Sequence, residues 1–414
     1  MADPHHCPPR LETTLRSEAD KRESRWVSDA GTPLAEVVGA VQGASLDPEV
    51  PLVLSRFAWL RRDGDMLVAE SARRPGRLNL VDPRAGSLVL RFVNPRSAAD
   101  AAAAEPSLPE APAIELAGLL LACGVLLVAS DAPEEEELPL AVWEFHDLLF
   151  HARSRAGRDT GPAGGTYRFV GRIEPAPALP PARWPQALKL ERPDFARMER
   201  EDPSLSAVQV ARRSVRKYGE PPIDVQTLGE FLYRVARVDD VWMAPELDAA
   251  HPTMFVARPY PSGGALYELE CYVVVQRCDG ADPGLYHYDP GEHALELVRL
   301  GSAQVDALAA REAMGAGVRA DQIQLLLLIT ARMHRIAWKY ASLAYALVLK
   351  HVGVLIDTMY LAATAMELAP CAIGSGHSDL FATVSGIDYY EEPLVGEFLL
   401  GRLPLEPAGD VQQR

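Results

Sequence analysis

Arg258-Pro259-Tyr260-Pro261-Ser262-Gly263-Gly264-Ala265 runs directly into Leu266-Tyr267-Glu268-Leu269-Glu270-Cys271-Tyr272-Val273-Val274-Val275. The second part is rich in β-branched and aromatic residues and reads as a strand. Ahead of it, two adjacent glycines leave a length of backbone without side chains. Such backbone can lie close to a flat ligand and present N–H donors to it. Pro-Ser-Gly-Gly is also a turn signal, and alone it reads as a tight loop. Its weight comes from its neighbours: an arginine cluster upstream and a Lys-Tyr pair downstream.

The chain has 414 residues, enough for two or three domains, and 48% of them are hydrophobic, which supports real cores. A net charge of -16 argues against nucleic acid, whose binders need a basic face. Cys7, Cys123, Cys271, Cys278 and Cys371 form no C-x-x-C pair, which disfavours zinc and a disulfide framework. His146 and His151 are five apart and do not share a helix face, so no metal site is expected. Met1-Ala2-Asp3-Pro4-His5-His6 has no basic region leading into an apolar run, so a cytoplasmic protein is expected. Residues 113–129 are apolar but short, carry Glu115 and precede Glu134-Glu135-Glu136-Glu137. They read as a buried helix and strand, and no membrane association is expected.

Residues 1–30 are polar and read as a flexible N-terminus. The spacing of Leu34, Val37, Val38 and Val41 predicts a helix over 32–42. Phe57 to Leu60, Asp63-Gly64 and Met66 to Val68 read as a hairpin. A helix over 114–123, stopped at Gly124, and a strand over 125–128 close a small domain of helices and hairpins, 31–132. The acidic run at 134–137 reads as a solvated boundary. A helical segment over 138–150, a Gly-Pro-Gly loop over 161–165 and a connector with five prolines between Pro175 and Pro185 fill 133–199. Beyond about Ser204 helices and strands alternate. Asp224 is placed to cap a helix over 225–235. Strands are expected over 269–275 and 323–330, with a hairpin at Asp289-Pro290-Gly291-Glu292-His293. Residues 340–368 read as one or two long helices, apolar nearly all round, buried in a domain or across a dimer.

Arg212-Arg213-Ser214-Val215-Arg216-Lys217-Tyr218 puts three arginines in five residues with a hydroxyl among them. Guanidinium forks and a serine suit a phosphate, although an isolated cluster of this kind usually serves as a solvated turn. Cys371-Ala372-Ile373-Gly374-Ser375-Gly376-His377 again allows close backbone approach. Glu397-Phe398-Leu399-Leu400-Gly401-Arg402 reads as a strand closing on an arginine.

Taken in order, R-R-S-V-R, P-S-G-G-A-L-Y-E-L-E, an apolar helix, G-S-G and a terminal G-R resemble the FMN-dependent nitroreductase-like family over about residues 200–405. P-Y-P-S-G-G-A-L-Y-E-L-E with Trp338-Lys339-Tyr340-Ala341 is similar to one branch, the SagB-type azoline dehydrogenases, which make thiazoles and oxazoles in ribosomal peptide natural products. Trp143-Glu144-Phe145-His146-Asp147-Leu148-Leu149-Phe150-His151 also resembles the segment leading into that branch's catalytic domain. The resemblance implies an α+β, nitroreductase-like fold over 200–414, with a central mainly antiparallel sheet flanked by helices. It implies a winged-helix-like peptide-recognition domain ahead of that fold.

Position by position, the resemblance gives FMN phosphate and ribityl binding to Arg212, Arg213, Ser214, Arg216 and Arg402. It sets Pro261, Ser262, Gly263 and Gly264 along the isoalloxazine, with Gly374 and Gly376 as lesser contacts. Lys339 and Tyr340 match the pair regarded as catalytic in the azoline branch. Ala265, Leu266 and Tyr267 follow the glycines where nitroreductases proper often place an Asn after Pro-Ser-Ser, which points away from nitroaromatic reduction. The implied partners are a precursor peptide, a cyclodehydratase and a second copy of the chain. A lysine in an apolar site can have its pKa lowered enough to act as a base, with Tyr340 as proton shuttle or as orienter of the ring. Adjacent residues diverge on a helix, so the pair is expected at a helix start or in a loop.

Overall fold

The computed structural model describes residues 24–29, 32–38, 46–155, 157, 162–245 and 253–405. They fall into two compact units, Met1–Ala163 and Gly164–Arg414.

In the first unit the strand Thr32–Val38 replaces the helix expected over 32–42. It pairs antiparallel with Ser24–Asp29 on one side and Arg77–Leu80 on the other. Leu34, Ala35, Val37 and Val38 are all buried, so both faces of the strand are covered. An apolar run with adjacent valines fits either period, and the ladder available here decides for the strand. Residues 24–29 of the expected flexible N-terminus therefore belong to a sheet; residues 1–23 lie outside the described residues.

The hairpin Ala58–Asp63 and Met66–Ser71 closes through Gly64, whose φ is +60°. The helix Glu110–Ala122 ends at Gly124, at φ +71°, and the strand Leu126–Val128 follows. Ala113, Leu116, Ala117, Leu119 and Leu120 are buried on this helix, as the helix-and-strand reading of 113–129 required.

Three glutamates of the acidic run are exposed, as expected of a solvated stretch, but the run lies inside the first unit and Glu135 is buried. Glu135 accepts from Ser55 Oγ at 2.6 Å and from the Arg56 backbone N–H at 2.9 Å, and pairs with Arg73 at 3.0 Å. A buried carboxylate needs such donors. The helix expected over 138–150 starts later, as Phe145–Arg153, after turns around Pro139.

The second unit is built on a seven-stranded sheet. Its order is Ala187–Lys189, Ala294–Leu300, Gly284–Asp289, Leu269–Val275, Leu325–Ala331, Leu394–Arg402, Leu368–Ile373, with every neighbouring pair antiparallel. Side chains alternate between two cores. Leu269, Cys271, Val273 and Val275 face the helices Val225–Ala236 and Ala344–Ala365. Tyr272 and Val274 face Ala303–Gly315 and Ser378–Ser385. Covered on both sides, the central strands read as unbroken apolar runs, and the α+β sheet flanked by helices is the one expected.

Local signals hold in this unit. Asp224 caps Val225–Ala236 by accepting from the Thr227 N–H at 2.7 Å. Asp289 closes its hairpin by accepting from the N–H groups of Gly291 and Glu292. The proline-rich connector is extended and tied down, with Arg332 donating to the carbonyls of Pro177 and Ala178 and Arg335 to that of Ala176.

The long apolar segment is shorter than 340–368. Tyr340–Ala341 is a two-residue strand, the helix is Ala344–Ala365, and Leu368–Ile373 is already sheet. That helix is long and apolar enough to cross a membrane by composition. Here Val348, Val352, Leu355, Met359 and Ala363 instead pack it into the core.

Candidate active site

The Pro-Ser-Gly-Gly loop folds back on itself through left-handed backbone. Gly264, Ala265 and Tyr267 have φ of +65°, +51° and +46°. Only the first is a glycine, and bulky residues in this region are uncommon and strained. Local bonds hold the shape. Ser262 Oγ accepts from the Tyr267 N–H at 3.0 Å, and the Ser262 carbonyl accepts from the Ala265 N–H at 3.1 Å.

His351, on the long helix, supplies the remaining tie. Its Nε2 accepts from the Gly263 N–H at 2.8 Å, and its Nδ1 lies 2.7 Å from Glu268 Oε1. An imidazole nitrogen that accepts carries no proton, so Nδ1 donates to the buried Glu268 carboxylate. The Gly263 N–H is therefore taken up by His351 and is not available to a ligand. Sequence reasoning missed His351 and Glu268. The one signal for His351 was a histidine in a long helix whose only other charges are Lys350 and Asp357.

Lys339 and Tyr340 converge on Gly264. A Cβ built on Gly264 would stand 2.8 Å from Lys339 Nζ and 2.7 Å from Tyr340 Oη. Glycine is required here twice over, by conformation and by space. Lys339 lies in the turn after the helix Met333–Ala337, and Tyr340 opens the short strand, so the pair sits off the helix as its adjacency demanded. The chain has five lysines against thirty-six arginines. Arginine cannot give up its proton in a protein, whereas lysine can, so a lysine here suits proton transfer.

The arginine cluster divides. Residues 212–218 run extended, with the Val215 N–H donating to the Pro370 carbonyl at 2.7 Å, and extended backbone sends neighbours to opposite sides. The Arg212 guanidinium lies over the Tyr360 ring at 5.3 Å, and Ser214 Oγ is 2.7 Å from Tyr360 Oη. Arg216 lies within electrostatic reach of Tyr218 and Cys371. Arg213 and Val215 instead line a cleft of about 930 Å³ with Thr364, Leu368 and Pro370. Among the described residues Arg212, Arg213 and Arg216 form no ion pair and all three are exposed. Arg402 is occupied: its guanidinium donates to the carbonyls of Pro221 and Pro222.

Gly374 and Gly376 follow the strand Leu368–Ile373, and a Cβ on Gly376 would overlap the Glu397 carboxylate. That contact accounts for the glycine without a ligand. Burial, with the Glu312 carboxylate adding to it, pushes the Glu397 carboxyl up to about 7. Glu312 is raised by burial too, while accepting from the His377 N–H at 2.9 Å.

The chain matches two protein families. Residues 210–402 match the nitroreductase family, and residues 52–160 match a second family, cyanobactin oxidase ThcOx. A protein of Methanocaldococcus jannaschii named as a nitroreductase is 28% identical over 206 residues, 49% of this chain and 92% of its own length. The trifolitoxin-processing protein of Rhizobium leguminosarum bv. trifolii is 26% identical over 147 residues, 35% of this chain and 39% of that relative. Among solved structures, a nitroreductase-named protein of Ralstonia eutropha aligns with 59% of this chain and 100% of its own at 21% identity and a TM-score of 0.42. The Escherichia coli microcin synthetase McbBCD complex with truncated pro-MccB17 bound aligns with 64% of this chain and 91% of that one, at 17% identity and a TM-score of 0.38.

The second unit thus has a nitroreductase-like fold, and its residues 210–402 match the nitroreductase family. Residues 52–160, ahead of it, match cyanobactin oxidase, which fits the branch that the motifs resemble.

Proposed function

We propose that this protein is an FMN-dependent dehydrogenase that oxidises azolines (thiazolines or oxazolines) to azoles on a peptide in natural-product biosynthesis. The observation that carries the reading is the convergence of Lys339 Nζ and Tyr340 Oη on Gly264. The matches to cyanobactin oxidase and to a trifolitoxin-processing protein support the peptide context.

The residues present fit FMN. Arg212 and Ser214, which meet at Tyr360, would hold the phosphate together with Arg216, both guanidiniums being exposed. The backbone of Pro261, Ser262 and Gly264 would line the ring system. FMN, when bound, supplies the two-electron acceptor.

Aromatising an azoline removes two hydrogens, one as a proton and one with the electron pair. Lys339, as the neutral amine, takes the proton. The Tyr340 hydroxyl, on the same glycine, relays that proton or orients the azoline. The tie between His351 and Gly263 keeps the loop from drifting under them. In this reading the first unit recognises the peptide or a cyclodehydratase partner. Tyr345, Leu349 and Val354, exposed on the long helix, pack against a second copy.

The test is to give the purified, flavin-loaded protein an azoline peptide and measure mass. Loss of about 2 Da, one pair of hydrogens, supports the reading. No loss, with the flavin turning over on a free small molecule instead, moves the protein to a second reading. That reading, an FMN oxidoreductase of the same fold on a non-peptide substrate, is favoured by the relative named as a nitroreductase.

A further inference from the structure

Residues 164–173 open the second unit as a strap against the Lys339–Tyr340 turn. Gly164–Gly165 pairs antiparallel with Tyr340–Ala341, in the register Tyr340↔Gly165 and Ala341↔Gly164. The Thr166 N–H closes on the Gly164 carbonyl at 2.9 Å, and the Tyr167 N–H then donates to the Lys339 carbonyl at 3.1 Å. The sequence showed only a glycine loop here, and the site as proposed has no role for it.

Both edges of this small ladder are strained. Tyr167 has φ +50° and Ser342 has φ +63°. A tyrosine in left-handed backbone costs energy that the rest of the structure must offset, and such residues gather at functional sites. The Tyr167 ring centroid lies 5.7 Å from Lys339 Nζ, and Tyr340's own ring lies 5.5 Å from the same nitrogen. Trp338 backs the arrangement. Its ring meets that of Tyr167 edge-on at 5.9 Å, and its Nε1–H is fixed on the Ile173 carbonyl at 2.7 Å, so the strap is tied at both ends.

We propose that Tyr167 is a positioning residue for Lys339: its ring, delivered by the strap, sets where the amine rests and how tightly it keeps its proton. An aromatic face within about 6 Å attracts an ammonium and not an amine, so it favours the charged form. The ring's attraction therefore works against deprotonation of Lys339, which the reaction needs as the neutral amine. The name of the substrate rests on the azoline reading; the effect on Lys339 does not.

The experiment uses full-length, flavin-loaded protein whose lysines carry ¹³C-methyl groups from reductive methylation. Five lysines give few resonances, and Lys339 is assigned by its loss in Lys339→Arg. Tyr167→Leu is expected to lower the Lys339 titration midpoint by about half a pH unit or more, and Tyr167→Phe, which keeps the ring, to leave it in place. The limb of the rate profile that rises with pH should move with the midpoint. If Tyr167→Leu does not fold, pentafluorophenylalanine at 167 keeps the shape, inverts the ring's charge distribution and must lower the midpoint in its place. A midpoint unchanged in these variants, with flavin content and circular dichroism intact, overturns the proposal. A wild-type protein that leaves azoline peptides untouched overturns the substrate reading alone, because the midpoint is measured without substrate.

Discussion

Gly264→Ala separates the site from the fold. The new Cβ would stand 2.7 Å from Tyr340 Oη and 2.8 Å from Lys339 Nζ, and would have to adopt φ +65°. The backbone term is about 1–2 kcal/mol for a residue with a Cβ in left-handed geometry. The steric term falls mainly on the ends of two side chains, and lysine's can swing away. The fold should therefore survive, with a melting temperature lower by about 2–8 °C. The amine, however, moves from its place, and turnover should fall ~100-fold, the scale of a lost general base. Steady-state aromatisation with flavin absorbance and a thermal melt on the same sample reads all three quantities. Lys339→Ala provides the control: it should stay yellow and lose at least ~100-fold by itself. Because the Gly264→Ala change acts largely through Lys339, the double variant should be little slower than Lys339→Ala alone, a coupling expected of groups in contact. Fully additive losses, or normal turnover in Gly264→Ala, would refute the convergence as the basis of catalysis.

The arginine side-sorting predicts that Arg212→Ala purifies largely without flavin while Arg213→Ala keeps most of it; the ratio of visible to ultraviolet absorbance decides, and the reverse order would put the phosphate in the cleft. Glu397 has its carboxyl raised from 4.5 to about 7, first by burial and then by Glu312, so the folded state holds a proton the unfolded chain gives up. Its contribution is intact below pH 4.5 and is lost as pH rises through 7, by up to about 3 kcal/mol. Glu397→Gln should therefore be more stable than the parent in urea at pH 8 and nearly equal at pH 4.5; one constant difference at both would remove Glu397 as the titrating group. The exposed face of the long helix predicts a dimer of the full chain in light scattering, and Leu349→Glu should weaken it; a flavin-loaded monomer at micromolar concentration would be evidence against this.

Local chemistry was legible where the decisive forces act within a few residues. Asp224 as a cap, Gly64 and Gly124 as stops, and the central strands follow from hydrogen bonds and side-chain alternation that the chain carries with it. The motif series carried the resemblance to the nitroreductase fold, and the adjacency of Lys339 and Tyr340 already excluded a shared helix face. That much the amino-acid order determined by itself.

Tertiary structure decided the rest. Thr32–Val38 is a strand because two partners flank it, and an apolar run does not announce its partners. Glu135 is buried because Ser55, 80 positions away, and Arg73 meet it, although four identical glutamates stand in the sequence. Gly263 gives its N–H to His351, 88 positions on, and the strap brings Tyr167 to Lys339 across a still longer loop. Periodicity reports which face of an element is apolar. It does not report which distant group will fill the space beside it, because that contact exists only after the sheet and helices have packed and the entropy of closing the intervening chain has been overcome.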